Sequence, residues 1–163
     1  LGLVIALGSS ALYHGVTYLP LKLKLRKVDH MGVFFLIAAG YTPFAMVPLY
    51  GLFGWHLLAM VWMLFIFGVI FKLTRWGNIR WLSIGVYLAM GWLLVMAFDP
   101  LVHILPGSCV TLMILGGLAY TVGIVFYLME TCPYMHVVWH GFVLLGSVLH
   151  FLAIYFYVLS IYI

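Results

Sequence analysis

The hydrophobic positions of this chain do not alternate with polar ones. They run on in long stretches broken by Gly, Pro and short basic clusters. The pattern predicts spans at about 1–19, 29–49, 53–73, 80–98, 108–129 and 135–162, each near the ~20 residues that cross ~30 Å of hydrocarbon. Membrane strands are shorter and alternate in polarity, which excludes a barrel. In lipid every backbone N–H and C=O must be satisfied within the segment, so the spans are helices. The connections are short, so residues 1–163 form one all-α transmembrane domain with no soluble part. The 17 glycines suit close approach of membrane helices.

Composition agrees. The chain is 67% hydrophobic and 6% charged, with a mean hydropathy of +1.27, whereas soluble domains carry about a quarter charged residues. The net charge of +4 does not point to nucleic acid, because the basic residues are confined to two short loops between spans. Lys22, Lys24, Arg26 and Lys27 follow the first span, and Lys72, Arg75 and Arg80 follow the third. Both segments lie on one side of the bilayer, which the positive-inside rule makes cytoplasmic. The chain then starts and ends on the outer side. It opens on Leu1 inside an apolar run with no basic n-region, so it reads as part of a longer protein and not as a signal peptide. One further span before Leu1 would give seven, with a cytoplasmic N-terminus and an outer C-terminus. Cys109 and Cys132 fall near opposite ends of one predicted helix, too far apart to bridge.

Ionisable groups inside spans are expensive and usually face the bundle interior. Ser10 and His14 lie four residues apart and share a helix face. His136 and His140 repeat that spacing, the geometry of a helical metal site. His14 closes the first span, Asp29 opens the second and the His136–His140 pair opens the last. The charge rule used none of these residues, yet it puts all four at the cytoplasmic level. Three imidazoles with an open position are a common catalytic zinc arrangement, and no Cys suggests a closed thiolate site. Asp29 also has a plain reading as a helix cap or a counter-charge to the basic segment, and Ser10 as a small packing residue.

The other polar residues carry less. His150 falls within about 40° of the face of His136 but ~20 Å deeper, so it is expected to make a buried polar contact and not to join the metal. His30 points about 100° away from Asp29, towards the interface. His56 and His103 sit near the outer surface. Asp99 and Pro100 are expected to end a helix, Glu130 and Pro133 to mark a cytoplasmic turn, and most of the aromatics to face lipid or the interfaces.

The strings SSALYH at 9–14, DHMGVFFLIAAGYTPF at 29–44, YLAMGW at 87–92 and HVVWHGFVLLGSVLHFLAIY at 136–155 resemble bacterial hemolysin III proteins, within the superfamily of progestin and adiponectin receptors. The resemblance covers essentially the whole chain. It implies a seven-helix bundle of the bacterial inner membrane, of which six helices are present here. In the adiponectin receptors the corresponding positions form a zinc site. Carried over, His14, His136 and His140 would be Zn²⁺ ligands, Asp29 would hold the water on the metal, and Ser10 would support the site. The superfamily also includes alkaline ceramidases, so the resemblance implies hydrolysis of a lipid amide and a part in membrane-lipid homeostasis.

Three functions follow from these expectations. The first is a zinc-dependent hydrolase of a membrane lipid or acyl amide, with Asp29 and Ser10 as its catalytic groups. The second is a non-enzymatic lipid sensor or receptor with a structural zinc, for which a cavity open to lipid between the spans would be the discriminating feature. The third is the cytolysis that the name hemolysin implies, although no amphipathic segment is free to insert into a foreign membrane. A haem protein using His136 and His150 lacks a second axial ligand facing His150. The partners expected are membrane lipids.

Overall fold

The computed structural model describes residues 1–129 and 132–159. Its elements are helical: α1 Gly2–Gly15, α2 Leu19–Met46, α3 Leu52–Leu73, α4 Arg80–Trp92, α5 Phe98–Ile104, α6 Gly107–Leu128 and α7 Met135–Ala153. A 3-10 stretch, Leu93–Ala97, joins α4 to α5, and a π-helical turn, Ile154–Val158, extends α7. The segments Leu52–Leu73, Arg80–Ile104, Gly107–Leu128 and Met135–Val158 are long and apolar enough to cross a membrane. The chain is therefore a multi-pass helical membrane bundle. At 14 residues α1 reaches only ~21 Å, and α2 carries Asp29 and four basic residues among its 28.

The basic segment after the first span is not a loop. It forms the first turns of α2, which starts at Leu19 with Pro20 in its first turn, where a missing N–H costs nothing. At 28 residues, ~42 Å long, α2 exceeds the hydrocarbon thickness, and its charged end projects past it. Asp29 consequently lies ten residues into the helix and cannot be its N-cap. Pro43 withdraws one backbone bond and α2 stops three residues later. Gly51, at φ +130°, makes the reversal into α3, a backbone setting that side-chain-bearing residues rarely adopt.

Asp99 and Pro100 do not end a helix either. They occupy the first turn of α5, where a carboxylate meets the positive end of the helix dipole. The interruption lies earlier, and Tyr41 causes it. The Tyr41 hydroxyl donates to the Gly91 carbonyl at 2.7 Å and accepts the Leu94 N–H at 2.8 Å. Leu94 therefore does not bond back to Met90, and the chain tightens into the 3-10 stretch.

Phe34, Phe44, Val61, Met90, Leu101, Cys109 and Val158 are fully enclosed, so the core draws on α2, α3, the α4–α5 span, α6 and the end of α7. Phe34 and Phe44 are the aromatics among these, while Trp55, Trp76, Trp81 and Trp92 are exposed, as expected of most of the aromatics. Cys109 is buried, Cys132 exposed, and both are free thiols. Glu130 and the expected end of the last span lie outside the described residues.

Candidate metal centre

His14 sits in the last turn of α1, and His136 and His140 in the first turns of α7. A helix turns 100° per residue, so the i, i+4 pair projects from one face of α7, towards the end of α1. One ring nitrogen from each of the three lies within 4.8 Å of the others. Ring centroids are 5.2 Å apart for His14–His136, 6.0 Å for His14–His140 and 4.8 Å for His136–His140. A tetrahedral ion with bonds of ~2.0–2.1 Å sets its nitrogen donors ~3.3 Å apart. The cluster thus fits one such ion after the rings close in by about 1.5 Å or less, within rotamer adjustment. His14 is exposed and the other two are half-buried, so the site opens on the α1 side.

Beside the imidazoles lies a buried polar pair. Ser10, one turn before His14, places its Oγ 3.3 Å from His140 Nε2 and is hydrogen-bonded to the Asp29 side chain. Ser10 is 5% exposed and Asp29 6%. The carboxylate also acts electrostatically on His14. All five residues singled out in the sequence therefore meet at one end of the bundle. Their meeting depends on close approach of α1 to α2: a Cβ on Gly32 would lie 2.7 Å from Ser9 Oγ and 3.2 Å from Ala6 Cα.

Sequence reasoning missed the wall behind this cluster. The Trp139 ring packs at 5.0 Å from His136 and 4.4 Å from His140, and Tyr127 lies 5.0 Å from Trp139. Both also line a cavity of about 630 Å³ enclosed by α2, α4, α6 and α7. Val95, Ile114, Leu118 and Phe151 line it too and are exposed, so it opens sideways, where lipid would lie. No motif marks such a space, because it arises between helices. His30 lines the cavity rather than pointing to the interface, and its carbonyl accepts the Tyr87 hydroxyl at 3.1 Å. His56 and His103 are exposed, each bonded to the carbonyl four residues back. His150 reaches the same cavity, but the polar contact expected of it is a ring contact with Tyr120 at 5.7 Å. Its Nε2 has no hydrogen-bond partner among the described residues.

No solved structure matches the chain. Among curated proteins it is 41% identical over 153 residues to the hemolysin-3 homolog of Bacillus subtilis, covering 94% of this chain and 72% of that protein. It is 40% identical over 150 residues to hemolysin-3 of Bacillus cereus, covering 92% and 68%. It is 28% identical over 159 residues to the human monocyte to macrophage differentiation factor, covering 91% and 63%. The family model described as haemolysin-III related matches residues 1–151, through α1 and α2 with Ser10, His14 and Asp29 and on past the histidine pair of α7, and to that family the chain belongs.

Proposed function

We propose that the chain is a zinc-dependent hydrolase acting on a lipid or acyl amide of the bacterial inner membrane, with its metal site near the cytoplasmic face and its C-terminus outside. The observation that carries the reading is the convergence of three imidazole donors within 4.8 Å on a buried Ser10–Asp29 pair. The donor set is all neutral nitrogen with no thiolate, the composition of zinc sites that keep a position open. Zn²⁺ held by these residues would supply Lewis acidity and lower the pKa of a water towards ~7.

The chain's own residues supply the rest. The Asp29 carboxylate acts as general base in this reading, supported by its burial beside Ser10 and His14. Ser10 holds that carboxylate and the His140 ring in fixed relation, a positioning role. The cavity behind Trp139 accommodates the acyl chain, and its side opening admits a lipid without passage through water. Participation in membrane-lipid homeostasis follows from such chemistry. Purified protein is expected to contain about one zinc and to cleave a ceramide, phospholipid or acyl amide. Zinc-loaded protein that turns over none of these would falsify the hydrolase reading.

The side-opening cavity favours a second reading, a lipid sensor with a structural zinc. It requires the same metal and the same cavity but no proton transfer at Asp29, so the two readings part at that residue.

A further inference from the structure

Cations from three helices gather at the histidine end of the cavity. On α2, Arg26 stands four residues before His30, a spacing that puts both on one helix face. His30 lines the cavity, and Arg26, which is exposed, continues that face beyond the cavity wall. Lys72, in the last turn of α3, acts electrostatically on both His30 and Arg26. Lys72 is 5% exposed and its ammonium donates to the Gly77 carbonyl at 3.0 Å, a neutral acceptor. On the α6 side, the Arg80 guanidinium from the start of α4 lies 4.7 Å from the Tyr127 ring and donates to the Tyr127 carbonyl. Tyr127 lines the cavity, and its ring is 6.4 Å from that of His136. His136 in turn acts electrostatically on His30, so the cations and the metal ligands share one end of the bundle. Of the described carboxylates, Asp29 is bonded to Ser10 and Asp99 lies in the first turn of α5.

A buried ammonium bonded to a neutral carbonyl is costly, and its field is little screened by salt. Basic pockets between membrane helices on the cytoplasmic side hold anionic lipid headgroups, and guanidinium groups match the oxygens of a phosphate two at a time. Here such a pocket adjoins an apolar cavity that opens to lipid. We infer that the lipid taken by this cavity is an anionic phospholipid, its phosphate held at the cavity mouth by Arg26 and Arg80 in the field of Lys72. Arg26 is exposed and Arg80 half-buried, so both can touch a headgroup, whereas the enclosed Lys72 acts through its charge. The assignment rests on the reading of the cavity as an acyl-chain site and narrows its substrate class, because a neutral ceramide has no charge for these groups to meet.

The test is native mass spectrometry of the full chain in detergent with equimolar phosphatidylglycerol and phosphatidylcholine bearing the same oleoyl chains. Phosphatidylglycerol is expected to bind about tenfold more tightly, the worth of one charge-assisted hydrogen bond. Arg26→Gln should reduce that preference about fivefold with zinc content unchanged, and Arg26→Lys should keep most of it. Lys24, also exposed, points about 160° away from Arg26 around α2, so Lys24→Gln should leave the preference intact. Equal binding of the two lipids overturns the headgroup assignment while the acyl-chain reading stands. An equal loss in Lys24→Gln and Arg26→Gln also overturns it, because general attraction to a basic surface then explains the preference. Inorganic phosphate that displaces phosphatidylglycerol at equal concentration makes the ligand a free anion and removes the lipid. Binding of neither lipid overturns both the assignment and the acyl-chain reading. A protein that selects phosphatidylglycerol but cleaves nothing keeps this assignment and loses only the hydrolase reading. The comparison of lipids needs no variant, so it decides the matter even if a substitution prevents folding.

Discussion

Ser10 Oγ lies 3.3 Å from His140 Nε2, a contact across 130 residues of sequence that ties the first helix to the last. The same hydroxyl is bonded to Asp29, so one small side chain connects the carboxylate to the imidazole cluster. Groups that orient a ligand from behind typically change metal affinity 10–100-fold when removed. Ser10→Ala is therefore expected to weaken zinc binding by about that factor, read by competition with a chromogenic chelator, with Ser10→Thr recovering much of it. A Ser10 that merely packs between helices would leave the zinc affinity of the Ala variant untouched.

The ligands themselves give a larger effect. His14→Ala should reduce bound zinc from about one per chain to near none in elemental analysis, and His136→Ala and His140→Ala should do the same. His56→Ala is the control, since that ring is exposed and bonded to the Leu52 carbonyl of its own helix. Retention of full zinc by His14→Ala would leave the pair on α7 without the third donor and would remove the site as drawn.

Asp29→Asn separates the two functional readings. The amide is nearly the same shape and still accepts the Ser10 hydrogen bond, but it cannot take a proton. In a hydrolase the turnover should fall ~10²–10⁴-fold with zinc content preserved. A sensor keeps its cellular response with this variant.

What could be read from the chain was what lipid dictates. Span length, helix type and the shared level of His14, Asp29, His136 and His140 follow from hydrocarbon thickness and the placement of Lys and Arg. Contacts between helices left no such trace. The Lys22–Lys27 segment looked like a loop because it is charged, yet as helix it satisfies its own backbone while its side chains reach past the hydrocarbon. The burial of Asp29 follows from that extension. The cavity, Trp139 behind the cluster and the unpartnered Nε2 of His150 depend on how faces meet, which periodicity does not report.

Gly32 shows how close that meeting is. Any side chain there enters Ser9 Oγ and the Ala6 backbone, one turn or less from Ser10. Because Ser9 Oγ is already committed to the Ala6 carbonyl at 2.9 Å, it has little freedom to yield. Gly32→Leu should push α1 away from α2, and zinc occupancy should fall even though every ligand is intact. Gly40→Leu, where an added Cβ meets nothing within 4 Å, should retain zinc.

The break between α4 and α5 yields the last prediction. Tyr41 holds the Gly91 carbonyl and the Leu94 N–H with one hydroxyl, and its ring is buried. Tyr41→Phe keeps the ring and removes both bonds. Two backbone groups in an apolar interior then lose their partner, at a cost of about 1–3 kcal/mol. For a chain of this size that corresponds to a fall in Tm of roughly 2–4 °C per kcal/mol, measurable by thermal unfolding in detergent. Part of the loss can be recovered if Leu94 turns back to Met90 and the 3-10 stretch becomes α-helix, which would rotate Val95 and the rest of that cavity wall. Tyr41→Phe should therefore alter fatty-acid affinity while leaving zinc content unchanged, because the histidine cluster lies at the other end of the bundle. If zinc is lost as well, the cavity wall and the metal centre are mechanically one unit.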